Sequence, residues 1–152
     1  MIAVAPLAIA AVVYLMLRKG TGSNAGSPDG MRWPLDELFI TDGFRSEERP
    51  DHTGVDLRAA VGTDVLAPFD GRVTQVLTTE RGGLQQIALL DNGLEIGFAH
   101  LSQADPVGTI FSRSDVIAKT GNSGLTTGPH LHYRIKENGI FVNPALYAPW
   151  IS

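Results

Sequence analysis

A mainly β domain behind one apolar N-terminal helix is what this 152-residue chain predicts. Three observations carry that expectation. Seventeen glycines and nine prolines punctuate the chain with turns, short alternating segments recur from Trp33 onward, and the N-terminal run carries no side-chain charge. The length allows one modest core rather than two full domains. The expected organisation is a transmembrane anchor over residues 1–19, a flexible linker over 20–33 and a folded domain over 34–152.

The first element is the run MIAVAPLAIAAVVYLML, which ends at Arg18-Lys19. A helix of that length rises roughly 26 Å, slightly short of a hydrocarbon core of about 30 Å, and snorkelling of Arg18 and Lys19 makes up the deficit. Pro6 lies near the start, where a helix tolerates it. A secretory signal peptide would place its positive charge before the apolar run, whereas here the charge follows. A helix buried within the domain would need a polar face, and this run has none. The stretch GTGSNAGSPDG that follows has the composition of a flexible linker.

Beyond it, GRVTQVLTT (71–79), LQQIALLD (84–91), LEIGFAHL (94–101) and LHYRIKE (131–137) read as strands of a meander. Asp91-Asn92-Gly93 and Glu137-Asn138-Gly139 mark hairpins, because Asn-Gly accepts positive φ at little cost. No helical pattern follows residue 33, and no internal repeat is present.

Charge and composition exclude several classes of partner. A formal net charge of -4, with no basic cluster longer than Arg18-Lys19, argues against nucleic acid. The absence of cysteine removes disulfides and thiolate metal sites, so any metal is held by histidine and carboxylate.

The chain has four histidines, and two of them stand one residue apart in GPHLHY (128–133). On a strand His130 and His132 share a face while Leu131 and Tyr133 take the other. With Cα atoms about 6.5–7 Å apart, one imidazole can bind zinc while the other acts on a water. Alone, an H-x-H pattern fits equally a pair of solvent-facing histidines. A second candidate is HTGVD (52–56), whose Thr-Gly-Val filling speaks against a helix and for a loop entering a strand. His and Asp are ordinary zinc ligands, and a catalytic zinc wants three protein groups and one open position. The third is His100 in GFAHLS, expected to continue the face of Leu94, Ile96 and Phe98; alone it reads as a partly buried histidine satisfied by a backbone carbonyl. The chemistry by itself says only that three of five groups bind metal and the others lie close by.

Together, HTGVD, FAHL and GNSGLTTGPHLHY resemble the LytM/lysostaphin-type zinc metallopeptidases that cut peptidoglycan peptides, in order and roughly in spacing. The likeness extends to AAVGTDVLAPFDGRV and VNPALY, and so covers about residues 38–149. All four histidines fall on motif positions. The resemblance implies a compact antiparallel sheet in which His52, Asp56 and His132 hold Zn2+. It makes His130 the general base and His100 the group that steadies the tetrahedral intermediate. Tyr133 stands where phenylalanine is commoner, and Arg134 where a glutamate often follows, which alters the charge of the groove. Within the family both glycyl bonds of cross-bridges and D-alanyl bonds to a diamino acid are cut. Degenerate members act instead as non-catalytic modules that bind peptidoglycan or activate a partner hydrolase; here no ligand is missing. A purely structural membrane or virion protein would hold no zinc.

The expected partners are a peptidoglycan peptide and a lipid membrane reached through residues 1–19. Positive charge after the span predicts a cytoplasmic C-terminal domain, which is at odds with a wall substrate. Two placements resolve this: the bacterial inner membrane facing the envelope, the charge bias being modest, or the internal membrane of a phage virion, which would turn a cytoplasmic face outward.

Overall fold

A computed structural model of the chain describes residues 30–148. Ten strands carry the regular structure of these residues: β1 Ile40–Asp42, β2 Val55–Arg58, β3 Asp64–Leu66, β4 Gly71–Thr79, β5 Gly83–Leu90, β6 Glu95–Ala104, β7 Ile110–Phe111, β8 Val116–Thr120, β9 His130–Glu137 and β10 Ile140–Val142. A 3-10 turn, Pro144–Leu146, follows β10 and is capped by the Asn143 side chain. Every pairing is antiparallel, in the order β1-β2-β9-β6-β5-β4-β7, with β10 added on β9, β8 on β6 and β3 on β8. The mainly β, antiparallel architecture expected from the sequence is the one observed. The anchor expected over 1–19 lies outside the described residues, and among those described no helix is long and apolar enough to cross a membrane.

Both Asn-Gly turns close hairpins. Between β5 and β6, Gly93 sits at φ 89 while its N–H donates to Leu90 O and Leu90 N–H donates to Leu94 O. Between β9 and β10, Asn138 (φ 50) and Gly139 (φ 78) are both left-handed, as a two-residue primed turn demands.

The core is built where alternation is strict. Leu131, Tyr133 and Ile135 of β9 are at most 1% exposed and pack with Val55 and Leu57 of β2 and Ile96 and Phe98 of β6. The Tyr133 ring stacks on Phe98 at 5.5 Å between centroids and meets Trp33 edge-on at 6.3 Å. This contact corrects the expected boundary of the linker over 20–33. Met31 and Trp33 are 1% and 2% exposed and belong to the core, so the packed domain begins before residue 34. Their polar and Gly/Pro-rich flanks mask two large apolar side chains whose burial outweighs local composition.

Candidate active site

The register of β2, β9 and β6 assembles the site. Asp56 lies directly opposite His132 in the β2–β9 pair, and His132 lies opposite Ala99 in the β9–β6 pair. Cross-strand neighbours in such pairs have Cβ atoms about 5 Å apart, so Asp56 and His132 meet because of register alone. His52 reaches them from the tight loop before β2, closed by hydrogen bonds from its N–H to Arg49 O and from Arg45 N–H to His52 O. Gly54 makes the approach possible: a Cβ there would stand 2.2 Å from Tyr133 O.

Three donor atoms converge. His52 Nε2 is 3.1 Å from Asp56 Oδ1, His132 Nδ1 is 2.8 Å from the same oxygen, and the two nitrogens are 3.1 Å apart. His52 gives its Nδ1–H to Gly43 O at 2.7 Å, which leaves Nε2 as a lone pair aimed at the carboxylate. Such a triangle of nitrogen and oxygen donors fits a small cation: tetrahedral donors about 2.0–2.1 Å from zinc stand roughly 3.3 Å apart. The three residues form the metal-capable cluster of the described chain. Burial opposes ionisation of Asp56, yet hydrogen bonding and charge from His132, with His52 and Arg49, hold its carboxyl well below the usual range. Burial pushes His132 down, against the pull of Asp56.

His130 and His100 flank the triangle with ring centroids 4.7 Å apart. Each gives its Nδ1–H to a main-chain carbonyl 2.8 Å away, His130 to Gly128 and His100 to Ser123. Both Nε2 atoms are therefore free for chemistry. His130 Nε2 stands 3.8 Å from Asp56 Oδ1. Burial lowers the basicity of His100, opposed by its Ser123 bond and assisted by repulsion from His130.

The expectation that His100 continues the face of Leu94, Ile96 and Phe98 is corrected. Strand β6 carries one extra residue against β5 here, since Leu101 pairs Leu84 while Phe98 pairs Gln86. His100 takes the left-handed conformation at φ 62. This bulge turns its imidazole to the side of His132, 6.4 Å away, and returns Leu101 to the core. The carbonyl partner expected for it is present in Ser123. All five candidate groups thus lie together.

Sequence reasoning missed Arg49 and Asp42. Arg49 Nη1 donates to Asp56 Oδ2 at 2.7 Å and to Asp42 Oδ2 at 2.8 Å. Asp42 and Asp56 face each other across β1 and β2, a like-charge pairing that would repel without the guanidinium between them. No local motif announces this, because the signal is a cross-strand register. The site opens into a groove of about 540 Å³ whose walls include Arg49, Thr53, Arg81, Leu125, Arg134 and Phe141.

The model of peptidase family M23 matches residues 50–144. A metalloprotease of Haemophilus influenzae, named as uncharacterized, is 41% identical over 96 residues, 61% of this chain and 20% of that protein. The peptidoglycan DD-endopeptidase ShyC of Vibrio cholerae is 33% identical over 122 residues, 75% of this chain and 28% of its own. Among solved structures, a zinc-containing peptidase from Vibrio cholerae superposes with a TM-score of 0.71 at 26% identity, over 81% of this chain and 41% of that one. The chain spans between a fifth and three tenths of the length of these curated relatives.

Proposed function

Because the chain belongs to peptidase family M23, we propose that it is a zinc-dependent endopeptidase hydrolysing the peptide cross-links of bacterial peptidoglycan. The observation that carries this reading is the donor triangle of His52, Asp56 and His132, flanked by two imidazoles whose Nε2 atoms are free. His52 Nε2, Asp56 Oδ1 and His132 Nδ1 would hold the metal, which when bound supplies a Lewis acid for the scissile carbonyl and lowers the pKa of water toward 7. His130 Nε2 takes the proton of the attacking water, its ring oriented by Gly128 O. His100, oriented by Ser123 O, hydrogen-bonds the oxygen that gains charge. The proton His130 has taken then passes to the leaving amine, which departs neutral and resets the ring. Arg49 fills Asp56 Oδ2 and leaves Oδ1 for the metal.

The test is the purified chain incubated with peptidoglycan, with zinc counted beside released peptides. Wild type is expected to release fragments, and His130→Ala to release them about 10²- to 10⁴-fold more slowly while holding zinc. A wild type that holds zinc and releases nothing turns the reading into that of a binding or activating module. Loss of zinc in His130→Ala overturns the division between base and ligand.

Residues 1–19 are proposed as a membrane anchor, and the domain as working from a membrane surface. Arg18-Lys19 after the apolar run favours the cytoplasmic face, which the internal membrane of a phage virion turns outward; a bacterial inner-membrane enzyme facing the envelope is the second reading. Protease protection in vesicles of known orientation separates them, since a domain facing the periplasm removes the argument for a virion.

A further inference from the structure

The face of β9 that carries His130 and His132 continues to Arg134 and Lys136. Lys136 is answered by Glu95, 3.5 Å away. Arg134 feels the charge of the same Glu95 but makes no hydrogen bond or salt bridge among the described residues, although it is half-buried in the groove wall. Its side chain lies across β6 at Gly97, where a Cβ would stand 2.5 Å from Nε, and its Cζ is 5.6 Å from the Phe141 ring centre. The other groove arginines are placed differently. Arg49 is committed to Asp42 and Asp56, and Arg81 sits in solvent 3.9 Å from Asp51. The Phe141 ring and the Glu95 charge leave the N–H fork of Arg134 unfilled. Donors partly withdrawn from water and unpaired are costly unless a ligand answers them, and the planar fork matches a carboxylate with two parallel bonds.

We propose that Arg134 determines specificity by pairing with a free carboxylate of the substrate peptide, within about two residues of the scissile bond. The spacing follows from the strand: Arg134 stands two residues beyond His132, roughly 7 Å along β9, the rise of two residues of an extended peptide. The inference rests on the hydrolase reading above and names its substrate class. Acidic, directly linked peptides are favoured over uncharged oligoglycine bridges, and free carboxylates over their amides. A glutamate at this position would repel the same group.

The test uses the full chain in detergent, loaded with zinc, and two synthetic cross-linked peptides that differ only in amidation of the carboxylate beside the scissile bond. Wild type is expected to favour the free acid by about 10- to 100-fold in kcat/KM, the range of a charge-assisted pair. Arg134→Gln brings that ratio close to one, Arg134→Lys keeps part of it, and Arg134→Glu inverts it. Taking the ratio within each variant cancels differences in folded fraction. Calorimetric binding of both peptides to His130→Ala supplies a readout without turnover. A wild-type ratio within twofold, or a ratio that survives in Arg134→Gln, overturns the proposal. If wild type cleaves neither peptide while binding still prefers the acid through Arg134, the hydrolase reading falls and the role of Arg134 stands.

Discussion

Strands β9 and β6 lie side by side and deliver histidines to the same site, yet by opposite means. On β9 strict alternation sends Leu131, Tyr133 and Ile135 into the core and His130, His132 and Arg134 to the opposite face. On β6 alternation would bury His100 with Phe98, and a single left-handed residue in a bulge reverses it. A regular strand announces its chemistry through a period of two; a bulged strand hides its chemistry behind the same pattern. Function is placed where the ladder is kept and also where it is broken.

Substitutions on the two strands sharpen this contrast, the largest effect coming from the regular one. His132→Ala should abolish both zinc retention and peptide release, because one donor of three is gone; metal analysis beside a turnover assay checks both. His130→Ala should lower turnover by about 10²- to 10⁴-fold with zinc retained, which is read from the same pair of measurements. Arg49→Leu, between β1 and β2, should weaken zinc binding by about 10- to 100-fold, as loss of a partner behind a ligand commonly does; competition with a chelator measures it. Backbone strain separates the strands directly. His100→Gly relieves a left-handed residue whereas His130→Gly loosens a regular strand, and each loses one imidazole-to-carbonyl bond. Urea unfolding should therefore find His100→Gly more stable than His130→Gly by about 1–2 kcal/mol; equal midpoints would break the comparison. The smallest effect is expected on the core face of β9. Tyr133 Oη is buried and has no hydrogen-bond partner among the described residues, so Tyr133→Phe should raise stability by up to about 1–2 kcal/mol. A lower melting temperature would show that the hydroxyl is satisfied.

The long strands were legible because each carries several alternations: the expected GRVTQVLTT coincides with β4, and LHYRIKE falls short of β9 only at His130. Strands β1, β3 and β7 were not, since two or three residues give no period to read. Met31 and Trp33 were hidden by their loop-like neighbours. In the site, the shared face of His130 and His132 followed from strand geometry alone. The grouping of His52, Asp56 and His132 depends on a register across β2 and β9, which no local pattern encodes, and entered through the family resemblance. Arg49 and Asp42 escaped both routes. Their meeting is a property of the β1–β2 pair and of the loop between those strands.

Three of the four imidazoles are held by main-chain oxygens, those of Gly43, Ser123 and Gly128. A carbonyl belongs to the path of the chain rather than to any side chain, so no single substitution deletes it. Residues in these loops can drift while the proton on each Nδ1 stays where it is. Orientation of the reactive nitrogens is thus inherited from backbone shape, and a redesign that swaps loop side chains for another cross-link need not rebuild it.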